Sequence, residues 1–290
     1  MTTTSAPYAA VIIPHYNDHS RLRRCLEALW RGGVPGDVEV IVVDNGSTPD
    51  LSGFGDFSGL RIVVEPKKGA ANARNRGVAE TPAPHLWFLD ADCVPAEDWL
   101  SCARANCVRA DIVGGDVQLF DETEAPRSGA QGFEAVFAFD CRAYVQQQGF
   151  AVTANMLTRR DVFYRAGPFV DGVPEDKEWC RRAVRRGAHI VFEPTLRVAH
   201  PSRGDWPALR RKWMRLTKEA WAEQRLKKHA SARWAVRAIA VLGSGLAHIP
   251  CVLHSAQLAR SEKASTVLTL LRLRSLRAFW MVRQSLGIGP

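Results

Sequence analysis

The alternation of apolar runs near the N-terminus is the feature that most restricts the fold of this chain. Residues 8–14 and 38–43 are short and almost entirely apolar, which is typical of buried strands. Between them, residues 22–30 place their apolar side chains at the spacing of one helical face. A strand, a helix and a strand within about 35 residues predict a βαβ unit, with parallel strands and a right-handed crossover.

Polar segments follow three of the predicted strands. Residues 15–18, 44–48 and 90–92 each come directly after an apolar run. The carboxyl ends of parallel strands lie along one edge of a sheet, and ligands of open α/β proteins bind at that edge. We therefore expect one ligand site built from these segments.

The Asp90-Ala91-Asp92 sequence predicts a metal site at this edge. Side chains two positions apart in an extended segment point to the same side, so the two carboxylates are expected to project together. Paired carboxylates suit Mg²⁺ or Mn²⁺, and an ion held by one or two carboxylates usually also binds substrate phosphates. The alternative is a plain turn, because aspartate is common in turns and Asp-x-Asp alone is a weak signal.

Cations precede and occupy the next predicted helix, residues 70–79. Lys67 and Lys68 come directly before it, and Arg74 and Arg76 lie within it. Cations for phosphates and the Asp44 carboxylate for a ribose hydroxyl or a base N–H would together build a nucleotide site. The alternatives are a solvated helix face for the arginines and strand-end capping for Asp44.

Length and cysteine usage restrict the class of protein. A chain of 290 residues allows one or two domains with a sizeable core. Its seven cysteines are scattered and form no Cys-x-x-Cys pair, so we expect neither a zinc site nor a disulfide framework. Scattered cysteines of this kind are typical of buried small side chains in a protein from a reducing compartment. No basic stretch followed by an apolar run opens the sequence, so a signal peptide is not expected.

The net charge of +9 is unevenly distributed. Residues 203–290 contain 17 basic and 4 acidic side chains, whereas residues 1–202 contain 22 basic and 26 acidic ones. A near-neutral body with a strongly basic C-terminal region indicates a polyanionic partner, either nucleic acid or an anionic membrane surface.

The C-terminal region has the pattern of amphipathic helices. Residues 207–229 mix arginine and lysine with tryptophan and leucine, and residues 268–282 are apolar with interspersed arginines. Such helices are typical of anionic membrane surfaces. Residues 238–256 carry no formal charge, but their glycines, histidines and proline favour an interfacial or re-entrant segment over a membrane span. The alternative is that these helices pack on the catalytic domain or on a second copy of it. No nucleic-acid-binding module accompanies the charge, so nucleic acid is not expected as the partner.

Five motifs in register carry a resemblance to a known family. They are Val-Ile-Ile-Pro…Asn, Val-Val-Asp-Asn-Gly-Ser, Gly-Ala-Ala-Asn-Ala-Arg-Asn-Arg-Gly, Leu-Asp-Ala-Asp and Pro-Glu-Asp. In this order and spacing, over about residues 8–202, the chain resembles the bacterial-type family 2 glycosyltransferases. The resemblance implies a GT-A fold, which is a Rossmann-like, mostly parallel sheet flanked by helices. Here a C-terminal helical, basic region that associates with membranes would follow it.

The resemblance implies a donor-binding part over residues 1–118. The nucleotide-sugar would be contacted by residues from the first four motifs, namely Pro14, Tyr16, Asn17, Asp44, Arg74, Asp90 and Ala91. Asp90 and Asp92 would hold Mn²⁺ or Mg²⁺ on the diphosphate. His200 matches a position where many relatives place a third metal ligand, although a lone histidine is more often structural.

An acceptor-binding part over residues 119–202 follows from the same resemblance. Transfer to a hydroxyl needs a general base, and the family's acidic pair matches Glu175-Asp176. We assign Asp176 as the base and Glu175 as the second choice, whereas a surface charge at a helix start is the alternative. One base without an enzyme nucleophile implies inversion. Asn155 and Trp179 match acceptor-side positions.

Two departures from the family pattern restrict the activity. Asp44 is followed by Asn45 where many relatives have a second acid, which puts a contact of that carboxylate in doubt. The Gln-x-x-Arg-Trp motif of processive relatives and their long membrane-spanning regions are missing from this sequence. These departures favour the addition of one sugar over polymer synthesis.

The sequence therefore predicts a metal-dependent, inverting glycosyltransferase. It would transfer a sugar from a nucleotide-sugar, with UDP-sugar preferred, to a glycan or lipid-linked acceptor in surface polysaccharide or glycolipid synthesis. The enzyme would be cytoplasmic and peripheral, or monotopic, on the inner face of the plasma membrane, with a homodimer as an option. The alternatives are a nucleotidyltransferase on a related fold, which would release pyrophosphate, and a non-catalytic membrane-bound scaffold.

Overall fold

A single mixed sheet forms the framework of the protein. The computed structural model describes residues 6–289. Eight strands in the order β3-β2-β1-β4-β7-β6-β8-β5 make up the sheet. Their bounds are β1 Ala9–His15, β2 Val38–Asp44, β3 Leu60–Val64, β4 His85–Leu89, β5 Val94–Pro95, β6 Ile112–Phe120, β7 Asn155–Arg159 and β8 Ile190–Pro201.

Eleven α-helices are present among the described residues. They are α1 His19–Arg31, α2 Ala70–Ala79, α3 Trp99–Asn106, α4 Gly129–Phe137, α5 Cys141–Gln148, α6 Arg160–Ala166, α7 Glu175–Arg185, α8 Trp206–Gln224, α9 Ala230–Ala247, α10 Ile249–Leu253 and α11 Arg260–Ser285, and one 3₁₀ turn covers Ser52–Phe54. Helix α2 has the bounds that the sequence predicts, and α7 begins at Glu175, so the acidic pair forms its first turn.

The predicted βαβ unit is confirmed by the parallel pairing of β1 with β2. Strand β1 is also parallel to β4, and β2 is parallel to β3. Beyond β4 the direction changes, because β7 runs antiparallel to both β4 and β6. The parallel part of the sheet therefore contributes the carboxyl ends of β1, β2 and β4 to one edge, as the sequence predicts.

The chain divides into two compact units. Unit 1 comprises residues 1–118, 140–171 and 175–200, and unit 2 comprises residues 119–139, 172–174 and 201–290. The first break coincides with the end of the proposed donor part, but residues 140–200 belong almost entirely to the same unit as that part. The assignment of residues 119–202 to acceptor binding stays a prediction.

Close packing fixes α2 against the sheet in unit 1. Helix α2 lies on β1 and β2, and a Cβ on Gly77 would come within 2.5 Å of Ile12 Cγ2 and 3.1 Å of Val43 Cγ2. Only glycine fits at that distance. The core beside it continues through Phe88, Phe163 and Trp179. This packing sets the position of α2, which carries Arg74.

A separate apolar core holds unit 2 together. Helices α4, α8, α10 and α11 contribute to it through Phe133, Leu209, Val252, Leu270 and Leu273. Helix α9 packs along α11 through a smaller cluster, where the Trp234 Nε1–H donates to Gln284 Oε1 at 2.9 Å. The C-terminal region is therefore helical and packed on itself.

Candidate active site

A cleft of about 630 Å³ lies at the carboxyl ends of β1, β2 and β4 in unit 1. The start of α2 forms one of its walls. Its lining residues are Pro14, His15, Tyr16, Asp18, Asn45, Lys68, Gly69, Ala70, Ala73, Arg74, Asp90, Ala91 and Asp92. Of the predicted donor and metal residues, Pro14, Tyr16, Arg74, Asp90, Ala91 and Asp92 are therefore brought together here.

Arg74 links two carboxylates at this cleft. Its guanidinium donates to Asp90 Oδ1 at 2.6 Å and to Glu175 Oε1 at 3.0 Å. The Arg74 side chain is 4% exposed, so it lies in the wall and is not on the solvated helix face that was the alternative. Burial lowers the pKa of this guanidinium, but the carboxylates of Asp90 and Glu175 outweigh burial and raise it overall. Arg74 therefore stays charged inside the wall.

Asp90 and Asp92 lie in a turn and not in an extended segment. The Cys93 N–H donates to the Asp90 carbonyl at 3.0 Å, and Ala91 and Asp92 adopt turn geometry. Strand β4 ends at Leu89 as expected, but the extended segment that we expected for Asp90-Ala91-Asp92 is replaced by a turn, which was the alternative. Both carboxylates nevertheless line the cleft, so the turn brings them to the same side as the extended segment was expected to do.

His200 lies next to Asp92. Strand β8 pairs with β5 antiparallel, with Ala199 opposite Val94, and this pairing places the His200 Nε2 at 3.2 Å from Asp92 Oδ2. The imidazole is largely buried, and the Asp92 carboxylate is partly exposed to the cleft. The two side chains that the sequence separates by 108 positions are thus in contact.

The possible metal ligands at this cleft suit a divalent ion that also binds a substrate. Asp92 and His200 offer one carboxylate and one imidazole, whereas one oxygen of Asp90 is bound by Arg74. No group of three or more His, Cys, Asp or Glu side chains that could hold a metal is present among residues 6–289. A site with few protein ligands fits Mn²⁺ or Mg²⁺, which usually complete their coordination with phosphates and water.

Asp176 occupies the first turn of α7, directly after Glu175. The Lys177 N–H donates to its Oδ1 at 2.6 Å. Burial and the neighbouring Glu175 carboxylate raise the pKa of Asp176 from 3.8 to about 6. A carboxylate with a pKa near the working pH can take up a proton during a reaction, which is what a general base must do.

Asp44 is engaged in its own turn. Its carboxylate accepts from the Ser47 Oγ–H at 2.5 Å and from the Ser47 N–H at 3.1 Å, and it is buried. Asp44 does not line the cleft. Asn17 follows β1 with a φ of 52°, and its Oδ1 accepts from the Thr48 N–H at 2.8 Å. The structure therefore places both residues beside the cleft as parts of the supporting loops.

Asn45 lines the cleft and was missed by sequence reasoning, whereas Lys68, which also lines it, is one of the cations that the sequence analysis expected at the phosphates. The Asn45 amide donates to the carbonyls of Glu65 and Lys67 and accepts from the Gly69 N–H at 2.7 Å. A carboxylate could not donate the hydrogen bonds to Glu65 and Lys67. This explains why Asn45 can stand here in place of the second acid that many family members have. The Lys68 Nζ lies 4.2 Å from the centre of the Tyr16 ring, which is 55% exposed. The Asn45-Gly46 turn was the available signal for Asn45.

Asn155 and Trp179 are not brought to the cleft. The Asn155 side chain is completely buried, accepts from Trp99 Nε1 and donates to the carbonyls of Asp116 and Leu196. The Trp179 indole is also completely buried and donates to the Gly167 carbonyl at 2.8 Å. Neither side chain is placed for direct contact with an acceptor.

Comparison with known proteins identifies the family. The model of glycosyl transferase family 2 matches residues 10–167, which is more than half of the chain. The chain belongs to glycosyl transferase family 2. The match includes Arg74, Asp90 and Asp92 and ends before Glu175, Asp176 and His200.

Two curated relatives of this family 2 enzyme are glycosyltransferases. Glycosyltransferase AglE of Haloferax volcanii is 29% identical over 214 residues, which cover 69% of each chain. The pre-mycofactocin glycosyltransferase of Mycobacterium tuberculosis is 28% identical over 214 residues, which cover 68% of this chain but only 44% of that protein. The family model and these relatives agree that this chain is a glycosyltransferase.

Structural comparison supports the GT-A fold. The mannosyltransferase PcManGT from Pyrobaculum calidifontis, solved in complex with GDP-Man and Mn²⁺, is similar with a TM-score of 0.58. The similarity covers 96% of this chain and 88% of that protein at 19% identity. The predicted fold class is confirmed. The Mn²⁺ of that complex is consistent with a divalent ion in an enzyme of this fold.

Proposed function

We propose that this family 2 glycosyltransferase transfers one sugar from a nucleotide diphosphate sugar to a hydroxyl of a glycan or lipid-linked acceptor. A UDP-sugar is the expected donor, and Mn²⁺ or Mg²⁺ is the expected cofactor. The observation that carries the proposal is the link from Asp90 through Arg74 to Glu175, beside Asp176. It joins the donor cleft to a carboxylate whose pKa suits a general base.

The donor binds along the start of α2. Lys68 and Arg74 supply positive charge on that side of the cleft, and the backbone N–H groups of a helix start favour phosphates. The Arg74 Nε–H is buried without a hydrogen-bond partner in residues 6–289, so it leaves one donor for a diphosphate oxygen. The exposed Tyr16 ring offers a surface on which the base can stack. Asp44 and Asn17 act on the base or ribose side, through the loops that they hold in place.

Asp92, His200 and Asp90 are the residues that would hold the divalent ion. When bound, the ion neutralises the charge that develops on the leaving nucleotide diphosphate. Asp92 is the main protein ligand in this proposal because its carboxylate faces the cleft. His200 either binds the ion directly or orients Asp92 from 3.2 Å.

The transfer is a single displacement with inversion. The acceptor hydroxyl oxygen forms a bond to the anomeric carbon as the bond from that carbon to the diphosphate oxygen breaks. The hydroxyl proton passes to the Asp176 carboxylate, and the nucleotide diphosphate leaves with the bonding electron pair. Glu175 stays paired with Arg74 at 3.0 Å, which supports Asp176 over Glu175 as the base.

Asn155 and Trp179 support the acceptor side from behind. Trp179 belongs to α7, and its burial among Phe163 and Phe169 fixes the helix that presents Asp176. Asn155 ties β7 to its neighbours by hydrogen bonds to Asp116 and Leu196. Both are positioning residues in this proposal and not contacts of the acceptor.

Unit 2 attaches the enzyme to the inner face of the plasma membrane. Residues 230–253 are the segment in the described part of the chain that is long and apolar enough to cross a membrane, by length and composition alone. Helices α9 and α10 expose Ile239, Leu242, Leu246 and Leu253. Because α9 also packs along α11, a position in the membrane interface fits better than a span. A homodimer on the same surface is the alternative.

Calorimetric titration of nucleotides tests the proposal. UDP, GDP and their sugars are titrated into the wild type and Asp92→Ala, with Mn²⁺ and with EDTA. We expect one nucleotide to bind in a Mn²⁺-dependent way, and the variant to lose that binding. Release of the nucleotide diphosphate on turnover separates glycosyl transfer from nucleotidyl transfer, which releases pyrophosphate. Failure of every nucleotide to bind to folded protein would contradict the proposal and favour a scaffold.

A further inference from the structure

Two arginines of α11 pack against Trp213 of α8 in unit 2, and an arginine of α9 lies near them. The Arg277 guanidinium carbon lies 4.7 Å from the centre of the Trp213 ring, and that of Arg274 lies 5.8 Å from it. Arg237 of α9 is close enough to Arg277 to disfavour its charge. We call Arg237, Arg274 and Arg277 the arginine cluster.

No carboxylate pairs with the arginine cluster among residues 6–289. Two other partly buried cations of unit 2 are paired, Lys212 with Glu134 and Arg127 with Asp121. In contrast, the buried Nε atoms of Arg274 and Arg277 have no hydrogen-bond partner, and the polar neighbour of Arg274 is His248 Nδ1 at 3.5 Å. Arg237 is exposed, but Arg274 and Arg277 are partly buried. Unpaired charge that is withdrawn from water is costly, so these two arginines lack a counter-anion.

Electrostatics agree with a missing anion. Burial lowers the pKa of Arg274, and burial together with the charges of Arg274 and Arg237 lowers the pKa of Arg277 to about 10. His248 faces the cluster from the end of α9 and brings no carboxylate to it. An anion bound here would reverse the repulsion among these groups.

Beyond Arg237, the surface that α9 and α10 expose is apolar and carries no lysine, arginine, aspartate or glutamate up to residue 253. Its exposed large side chains from residue 239 to residue 253 are Ile239, Leu242, Leu246 and Leu253, of which Ile239 is 71% exposed. Gly245 faces α11, where a Cβ would lie 3.4 Å from Arg274 Cβ, so the arginine cluster and this surface belong to the same stretch of α9. A ligand that matches both would carry an anionic head and apolar chains.

We propose that the arginine cluster binds the phosphate of an anionic membrane lipid while the exposed face of α9 enters the lipid interface. Guanidinium groups match phosphate oxygens in geometry, and they are weakly hydrated enough to work at a partly buried site. The uncharged α9 surface favours a lipid over a free phosphate, because a soluble anion would leave that surface in water. The inference rests on the proposed membrane attachment and is independent of sugar transfer.

Vesicle sedimentation tests the site. Wild type, Arg274→Gln/Arg277→Gln and the charge-matched control Arg210→Gln/Arg211→Gln are mixed with vesicles of phosphatidylcholine alone or with phosphatidylglycerol. The control removes two exposed α8 arginines, so both double variants lose the same net charge. We expect wild type to bind the phosphatidylglycerol vesicles, and the cluster variant to lose roughly tenfold more affinity than the control.

Thermal unfolding separates binding from folding. Without lipid, the cluster variant should unfold at the wild-type temperature or above it, because two unpaired charges are removed. Soluble short-chain phosphatidic acid should raise the unfolding temperature of wild type but not that of the cluster variant. A large loss of stability in the lipid-free variant would mean that the arginines are structural, and would overturn the inference.

The other possible results of these experiments also decide whether the arginine cluster binds a lipid. Equal vesicle binding by the two double variants overturns the lipid site and leaves membrane attachment standing. If wild type binds no vesicle, both the lipid site and the membrane attachment are overturned. The proposed sugar transfer is still tested separately, by nucleotide titration. Equal protection by inorganic phosphate overturns the assignment to a lipid. A wild-type dimer that becomes monomeric in the cluster variant assigns the missing anion to a second copy of the chain.

Discussion

The Arg74 guanidinium donates to the Glu175 carboxylate at 3.0 Å and so joins two residues that lie 101 positions apart. Arg74 belongs to the helix that forms the donor wall, and Glu175 begins the helix that presents Asp176. The same guanidinium holds Asp90 at 2.6 Å. One buried cation therefore fixes the distance between the donor cleft and the proposed base.

Arg74→Lys should break the link between the cleft and the helix that carries Asp176. An ammonium group has no planar fork to reach Asp90 and Glu175 together, so one contact of a largely buried charge is lost. We expect the free energy of unfolding to fall by about 2 kcal/mol, and donor binding to weaken. Chemical denaturation and nucleotide titration measure the two effects.

Arg76→Lys is the matched control for this variant. Arg76 lies on the same helix and pairs with Glu80, but its side chain is 46% exposed. A surface pair of this kind contributes little, so the control should behave as wild type. Equal effects of the two substitutions would contradict the bridging role of Arg74.

Asp176→Asn should abolish most of the activity without unfolding the protein. The amide keeps the shape of the side chain but cannot accept a proton, so kcat should fall by about 10²–10⁴-fold. Glu175→Gln is the comparison, because it keeps the base and weakens only the pair with Arg74. If Glu175→Gln loses more kcat than Asp176→Asn at equal donor occupancy, Glu175 is the base.

The pH dependence of the wild type follows from the same carboxylate. The base must be ionised, so kcat should rise with pH through about 6 and then level off, because burial and Glu175 raise the pKa of Asp176 to about 6. Since the folded pKa lies above the ordinary value of 3.8, this group stabilises the fold fully below about pH 3.8 and loses that contribution as pH rises through about 6. Asp176→Asn should therefore unfold at an equal or higher temperature than wild type at pH 7. A lower unfolding temperature would show that the ionised carboxylate stabilises the fold.

Metal dependence distinguishes two roles for His200. If the imidazole only orients Asp92, His200→Ala should weaken Mn²⁺-dependent nucleotide binding by about 10–100-fold. If it binds the ion, the loss should approach that of Asp92→Ala. Titrations of Mn²⁺ in the presence of the nucleotide give both values. Unchanged Mn²⁺ affinity in both variants would remove this pair from the metal site.

The sequence predicts the parallel half of the sheet and most of the cleft, for a physical reason. Continuous apolar runs and turn residues are local signals, and the βαβ rule converts them into a shared edge. The contacts of Arg74 with Glu175 and of His200 with Asp92 depend instead on how β8 and α7 return to the sheet. No local pattern contains that information, and only the family resemblance assigned those residues to one active site.

The burial of individual side chains, like the long-range contacts above, could not be predicted from the sequence. Asn155 and Trp179 match acceptor-side motif positions, yet both lie in the interior because β7 is a central strand and α7 packs its aromatic face inward. The Asp90–Asp92 turn replaces the expected extended segment for a related reason, since strand pairing resumes only at Val94, opposite Ala199. Tertiary pairing overrides a local extended preference there.

Glu134 provides the stability test of unit 2. Its side chain is 1% exposed, its Oε1 lies 2.5 Å from Lys212 Nζ, and its Oε2 accepts from the Arg203 N–H at 2.8 Å. Glu134→Gln keeps the volume but leaves the Lys212 ammonium buried without a counter-charge. We expect the free energy of unfolding to fall by about 3 kcal/mol, measured by chemical denaturation. Adding Lys212→Met should restore part of it, because the unpaired charge is then removed.

Glu223→Gln is the control, since its pair with Lys227 is exposed at both ends and should contribute less than about 1 kcal/mol. The pH response gives an independent check. Burial raises the pKa of Glu134, but Lys212 and Arg203 outweigh it and hold the pKa below the ordinary value of 4.5. The contribution of this ion pair is therefore present above about pH 4.5 and is lost as pH falls further, through the folded pKa. Wild type and Glu134→Gln should then converge in stability at acidic pH, and a constant difference across the range would rule out the ion pair as its source.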